Sequence, residues 1–197
     1  MSKMPAGRPR SFDEHDVIDR ALNVFWEHGG ANTTTRVLES ELGITQSSIY
    51  NAFGSKQALL DRALDRYIEQ IDEQVVAPLD QADAGAPELF EFVECLMQWI
   101  SSPERPGCLL LNMLGERSTS NPDLVVRARQ YRDRLRAAFR EALSAYGADK
   151  ATSRAELMLA GVLGINISAY GGAHAHELDA LASGLRIQLK DWTNSSG

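Results

Sequence analysis

A helical repeat of apolar residues runs through almost the whole chain and constrains its fold more than any other feature. The first segment shows the spacing i, i+3, i+4, i+7 in Ile18, Ala21, Leu22 and Phe25. This spacing places apolar side chains on one face of an α-helix. Similar patterns recur between glycine-rich and proline-rich breaks, and no convincing period-two alternation is found. The chain is therefore predicted to be all-α, with about nine helices.

The breaks between the periodic segments predict where each helix begins and ends. Gly29-Gly30, Gly43, Pro78 and Gly147 are such breaks. The predicted helices span residues 12–28, 33–42, 45–53, 56–77, 87–101, 107–117, 122–146, 150–172 and 176–192, with a loop over 78–87 and a frayed tail over 193–197.

Composition excludes several classes of protein. With 197 residues, 44% hydrophobic and 24% charged, the chain matches a soluble globular protein. No apolar run approaches the roughly 20 residues that a membrane-spanning helix needs. The N-terminal residues lack the apolar core of a signal peptide, and two cysteines are too few for a disulfide scaffold. We therefore expect a cytoplasmic protein without membrane association.

The net charge of −7 at first disfavours a nucleic-acid partner. The charge is uneven, however, because residues 1–56 hold six basic and seven acidic side chains, a net charge of −1. Most of the excess acid therefore lies after residue 56. The overall charge is a poor guide to what the N-terminal part binds, although it predicts weak non-specific affinity for DNA.

Two short helices separated by a glycine turn form the strongest local motif, at residues 34–53. Gly43 permits a sharp bend, and apolar residues at the packing positions hold the two helices together: Leu38, Leu42, Ile44 and Ile49. The second helix is polar elsewhere, with side chains suited to base edges and phosphate oxygens. From spacing alone, a helix-turn-helix and an ordinary helical hairpin with a solvated face are equally compatible with this pattern.

The segment from Val17 to Leu60 resembles the DNA-binding domain of the tetracycline-repressor (TetR) family of bacterial transcription regulators. The matching residues are Ala21, Phe25, Gly29, Thr33, Thr34, Leu38, Leu42-Gly43-Ile44-Thr45, Ile49-Tyr50, Phe53, Lys56 and Leu59. The resemblance implies a DNA-binding domain over residues 1–56 and a ligand-binding and dimerisation domain over 57–192. It also implies that the helix from Thr45 to Phe53 is the recognition helix.

The resemblance assigns roles to individual side chains of the first domain. Gln46 and Ser47 are the candidates for base contacts, since glutamine can bind adenine in a bidentate way. Tyr50 is expected to contact a phosphate or a thymine methyl group. The candidates for phosphate contacts are Thr33, Thr34, Thr45, Asn51 and Lys56. Arg8 and Arg10 in the basic N-terminal arm either enter a minor groove or belong to a tail that only aids solubility.

A stripe of small residues marks the predicted helix over 150–172. Gly161, Gly164, Ser168 and Gly171 recur at i, i+3, i+7 and i+10. Glycine costs up to about 1 kcal/mol relative to alanine inside a helix, so a close approach of another helix is expected. That helix belongs either to a second subunit or to the same chain. The resemblance, in which the last two helices form a four-helix dimer interface, favours a homodimer.

The resemblance also implies a pocket for an unidentified small-molecule effector among the long helices of the second domain. The candidate lining residues are Phe92, Leu96, Trp99, Met113, Tyr131, Met158, Asn166 and Tyr170, although plain core positions would look the same. Cys95 and Cys108 adjoin apolar residues, which favours inert buried thiols. His174 and His176 lie in a glycine- and alanine-rich turn that favours a solvated loop over a metal site.

Together these features predict a homodimeric repressor that binds a palindromic double-stranded operator and is released by a small molecule. No cofactor, metal site or catalytic arrangement of side chains is predicted, so an enzyme is disfavoured. The alternative is a DNA-binding regulator or activator without an effector. A helical enzyme or adaptor that shares only the bundle would bind no specific DNA sequence.

Overall fold

The computed structural model describes residues 12–28, 33–81, 83–101, 107–114 and 122–194. Within these ranges the chain is helical, with short connections and no strand. The all-α prediction is therefore confirmed.

The described helices follow the predicted order closely. They are α1 (Glu14–His28), α2 (Thr35–Leu42), α3 (Gln46–Phe53), α4 (Lys56–Ile71), α5 (Ala86–Ile100), α6 (Leu109–Met113), α7 (Pro122–Ser144), α8 (Ala151–Tyr170) and α9 (Ala175–Asn194). None of these helices is both long and apolar enough to cross a lipid bilayer.

The chain divides into two compact units, Met1–Ile68 and Glu69–Gly197. The division lies within α4, later than the domain boundary that the sequence pattern predicts after residue 56. Most of α4 belongs to the first unit because its apolar side chains pack there. One example is Tyr67, which is fully buried and forms an edge-to-face aromatic contact with Trp26 of α1, with ring centroids 5.3 Å apart.

In the first unit, α1 to α4 surround a core made from one apolar face of each helix. Leu22 and Phe25 of α1, Leu38 of α2 and Ile49 of α3 are all at most 1% exposed. The Arg20 guanidinium donates a hydrogen bond of 2.9 Å to the carbonyl of Leu42, which lies at the end of α2. This bond satisfies a carbonyl that has no partner within its own helix.

The helical path changes after α4, where the sequence pattern predicts a continuous helix to residue 77. Residues Asp72–Val76 instead form a π-helix, and Ala77–Asp80 form a 3₁₀ turn. Pro78 has no amide hydrogen, so the α-helical hydrogen-bond pattern cannot continue through it. Arg134 of α7 pairs with both Asp72 and Asp80 at 2.7 Å and holds the two ends of this segment.

Burial by itself would lower the pKa of Arg134, but the pairs with Asp72 and Asp80 outweigh that effect and raise it. The side chain is therefore a permanent cation in the second unit.

The core of that unit lies among α5, α7, α8 and α9. Phe92 and Phe139 meet there in an edge-to-face contact, with ring centroids 5.2 Å apart.

Candidate nucleic-acid interface

The turn between α2 and α3 is built from the local chemistry that the sequence indicates. Thr34 caps α2 by accepting a hydrogen bond from the Val37 amide at 3.2 Å. Gly43 ends α2 with φ +65° and donates its amide hydrogen to the carbonyl of Glu39. Thr45 then caps α3 by accepting from the Ser48 amide at 3.2 Å. These caps fix where α3 begins, and so they fix which of its side chains face outward.

α3 has one buried face and one exposed polar face. Ile49 is fully buried and Phe53 is 5% exposed, as the sequence pattern predicts. The outward face carries two pairs of residues at i, i+4 spacing: Gln46 with Tyr50, and Ser47 with Asn51. Because α3 is anchored through its apolar face, an uncharged surface of donors and acceptors is held in a defined orientation.

Three hydroxyl groups cluster at the beginning of α3. The Oγ1 atom of Thr45 lies 2.9 Å from the Oγ atoms of both Ser47 and Ser48. Hydroxyls both donate and accept, so this cluster can rearrange toward a phosphate oxygen or a base edge.

Lys56 and Thr33 differ from the simple expectation that both contact DNA. The Thr33 side chain is fully buried, so we remove it from the proposed contacts. The Lys56 ammonium group donates to the Thr33 carbonyl at 2.8 Å and thereby ties the start of α4 to the segment before α2. Thr34, the residue that follows Thr33, is exposed.

An acidic side chain that the motif-based prediction did not single out also reaches α3. The Glu39 carboxylate of α2 accepts a hydrogen bond of 3.3 Å from the Gln46 amide. The signal in the sequence is weak, because seven residues and a turn separate the two positions. Arg8 and Arg10 lie outside the described residues.

In the second unit, most of the predicted pocket residues are buried, and one is not. Phe92, Leu96, Tyr131, Met158 and Asn166 are at most 6% exposed, and Trp99 is half-buried. Tyr170 is instead 55% exposed, so its side chain lies on the surface of this unit and not in its interior. The Met113 side chain lies outside the described part of the chain.

The buried polar side chains of this unit form a small network. Asn166 donates to the side-chain Oδ1 atom of Asn112 at 2.8 Å and accepts from the Cys108 backbone amide. Burial raises the pKa of Tyr131 well above its usual value, so its hydroxyl stays protonated. A surface pocket of about 110 Å³ lies elsewhere, lined by Arg136, Ala137, Arg140, Thr152 and Ala155. None of the predicted lining residues borders it.

The small-residue stripe of α8 has two different explanations. A Cβ atom at Gly161 would lie 2.9 Å from Leu185 of α9, so this glycine serves packing within the chain. At Gly164 a Cβ atom would meet nothing within 4 Å, and the position is exposed. Ser168 is half-buried, and Gly171 ends the helix. The intrachain explanation therefore holds for Gly161, whereas Gly164 remains open to a partner.

The cysteines and histidines agree only in part with the interpretation of the sequence, because Cys95 is half-buried and His176 lies within α9. Cys108 is buried, and Cys95 is half-buried with a thiol pKa that burial and the nearby Glu91 and Glu94 raise. A raised pKa lowers the thiolate fraction and with it the reactivity. His174 and His176 are exposed and stacked, with ring centroids 5.8 Å apart. Across the described ranges, no three His, Cys, Asp or Glu side chains group as a metal site.

Residues 17–63 match the family model described as bacterial regulatory proteins, tetR family. This segment contains α2, α3 and the turn between them, together with most of α1 and half of α4. The interface described above therefore lies entirely within the matched residues.

Two curated relatives are similar to more than half of the chain. The HTH-type transcriptional repressor ComR of Escherichia coli (strain K12) is 28% identical over 123 residues, which are 61% of this chain and 57% of ComR. The uncharacterized HTH-type transcriptional regulator YezE of Bacillus subtilis (strain 168) is 29% identical over 119 residues, which are 60% of this chain and 61% of YezE. The chain thus matches about three fifths of the length of these relatives.

A solved structure extends the likeness to nearly the whole chain. It is a cysteine mutant of the TetR family transcriptional regulator CifR, complexed with a 26-base-pair double-strand operator DNA. Its TM-score is 0.77 at 26% sequence identity, and the match covers 94% of this chain and all of that chain. All three similar proteins are named as transcriptional regulators or repressors.

Proposed function

We propose that the chain is a DNA-binding transcriptional regulator of the tetR family that reads its operator through α3; the family-model match over residues 17–63 and the similarity to such regulators support this proposal. The observation that carries this proposal is the exposed polar face of α3, held by buried Ile49 and Phe53. A helix of this kind fits the major groove, where the donor and acceptor pattern of each base pair is unique.

The contacts we propose follow from exposure. Gln46 and Ser47 read base edges, because they lie at the beginning of α3, the part of a recognition helix that meets the bases. Thr34, Thr45, Asn51 and Lys56 bind phosphates, and Tyr50, 42% exposed, contacts a phosphate or a thymine methyl group. Arg8 and Arg10 add phosphate or minor-groove contacts.

We propose further that two copies of the chain bind a palindromic operator. One short helix reads only a few base pairs, whereas two helices related by a two-fold axis reach half-sites about 34–36 Å apart. The exposed apolar side chains on α8 and α9 support this assembly: Leu157, Ile167, Tyr170, Leu181 and Ile187. Water-exposed apolar side chains of this size are typical of a surface that a partner covers.

We propose that the regulator is cytoplasmic and represses transcription, since the similar protein ComR is named a transcriptional repressor. We propose also that a small molecule releases the regulator from DNA. The effector would bind among the buried residues of the second unit and favour a conformation with lower DNA affinity. In the alternative, the protein regulates without an effector. The two are distinguished by whether any metabolite in a screened panel changes operator affinity.

The experiment that tests the proposed function is the selection of bound sequences from random double-stranded DNA with the purified full chain. We expect enrichment of a palindrome whose half-sites are one helical turn apart. Selection of no sequence would contradict DNA recognition, and selection of a single unrepeated half-site would contradict recognition by a dimer.

Replacing Gln46 by alanine should relax base preference at one position of each half-site, at a cost of about 1–3 kcal/mol per half-site for the preferred base. The measurement compares affinities for operators that carry each base at each position. Gln98→Ala is the matched control, because Gln98 is exposed on α5 in the other unit. Equal base preferences in the Gln46→Ala variant and the wild type would remove Gln46 from the base contacts.

A further inference from the structure

A carboxylate at the beginning of the recognition helix is unusual for a surface that binds a polyanion. Glu39 is half-buried, and its Oε1 atom accepts a hydrogen bond from the Gln46 amide at 3.3 Å. Gln46 is the first residue of α3. The amide groups of a first helical turn point at whatever lies beyond that end, so they commonly hold a phosphate. Here a side chain of the same chain occupies one of them.

Helix dipoles explain why the Glu39 carboxylate, although Glu39 is a residue of α2, interacts with the N-terminus of α3. Glu39 lies in the last turn of α2, where a negative charge is unfavourable and no basic residue compensates it. The first turn of α3 has no acid of its own. The Glu39 carboxylate thus supplies the negative charge that the α3 N-terminus favours.

Glu41 shows that the position of Glu39 is specific. It lies in the same turn of α2 and carries the same charge, but it is exposed. No hydrogen bond or ion pair is found for it in the described part of the chain. One acid of the pair therefore reaches α3, and the other provides a matched control.

The Glu39 carboxylate has acceptor capacity left. A carboxylate offers about four acceptor sites on two oxygens, and the Gln46 amide uses one of them. No hydrogen bond to Oε2 is found within the described ranges. Oε2 can therefore accept from a ligand at the end of α3 where the exposed Gln46 side chain also lies.

We propose that Glu39 determines operator specificity, and this rests on the proposed function. Its free oxygen accepts a hydrogen bond from the N4 amino group of a cytosine in the major groove, the base that acidic side chains recognise. Its charge also keeps a phosphate away from the Gln46 amide that the carboxylate occupies. Guanine and thymine present acceptors at the corresponding edges, so the carboxylate repels them. Glu39 thus lowers the affinity for DNA and raises the selectivity for one base.

The test compares the wild type with Glu39→Gln and Glu41→Gln in full-length protein, using the operator that selection from random DNA provides. For the wild type we expect one cytosine in each half-site to be preferred over guanine and thymine by about 5- to 150-fold. Glu39→Gln should lose that preference, because an amide offers a donor as well as an acceptor. It should also steepen the slope of log K against log salt by about 0.9 for each phosphate gained. Glu41→Gln should leave the cytosine preference unchanged.

A third variant separates the two effects of the carboxylate. Glu39→Asp keeps the charge and shortens the side chain, so it should lose the cytosine preference but keep the wild-type salt slope. Thermal unfolding monitored by circular dichroism checks that each variant is folded, and Glu39→Gln retains an acceptor for the Gln46 amide. If the wild type selects a palindrome and Glu39→Gln keeps both its base preferences and its salt slope, only this inference is overturned. If the wild type selects no DNA, the proposed function fails and this inference with it.

Discussion

Gly164→Leu is expected to dissociate the proposed homodimer and to lower operator affinity by about 10²–10⁴-fold, the gain that linking two binding modules provides. Gly164 is exposed on α8, and a Cβ atom there would meet nothing within 4 Å in its own chain. A leucine should therefore leave the monomer folded, while it obstructs a helix that approaches closely from a second copy. Sedimentation velocity and operator titration measure the two effects.

Two further variants sharpen this experiment. Gln98→Leu adds the same side chain on exposed α5 and should remain dimeric. Gly161→Leu should instead destabilise the monomer, because its Cβ atom would lie 2.9 Å from Leu185. A Gly164→Leu protein that sediments as a dimer and binds the operator normally would contradict the proposed interface.

Asn166→Ala should lower the free energy of unfolding by about 1–3 kcal/mol, since it removes two hydrogen bonds that contribute about 0.5–1.5 kcal/mol each. These bonds join Asn166 to the Cys108 amide and to the Asn112 Oδ1 atom. Asn166 is only 1% exposed, so water cannot replace the lost partners freely. A loss of this size is a large share of the stability of an ordinary domain. Urea denaturation followed by far-UV circular dichroism measures it.

The control for this prediction lies on the same helix. Ser168 is half-buried on α8, and Ser168→Ala should change stability by no more than about 0.5 kcal/mol. The double variant Asn112→Ala/Asn166→Ala should lose less than the sum of the single variants, because both remove the same bond. An Asn166→Ala protein as stable as the Ser168→Ala control would show that the network does not stabilise the second unit.

Helix ends and buried faces could be predicted from local chemistry. Gly43 ends α2 as the sequence pattern predicts, and the caps Thr34 and Thr45 lie within one residue of the predicted helix starts at residues 33 and 45. Such ends are predictable because a cap involves atoms only a few residues apart. Ile49 and Phe53 are buried for a similar reason, since helical periodicity alone assigns them to one face. The match to the tetR family model lies in this same region.

Other roles depended on which helices meet. Thr33 has the residue type of a phosphate contact but is buried, and Tyr170 has the residue type of a pocket wall but is 55% exposed. The stripe that contains Gly161 and Gly164 is a single pattern in the sequence. It separates into a packing position and an open one only when α9 lies against α8.

By itself, the sequence determined the all-α class, the two short helices on either side of Gly43 and the polar face of α3, because these follow from residue type and short-range spacing. Tertiary structure alone decided the exposure of Thr33 and Tyr170, the two environments within the α8 stripe and the Glu39 contact with α3. The physical reason is that burial and hydrogen bonding between helices depend on how the helices pack. That packing is set by many weak contacts across the core, which no local pattern in the sequence contains.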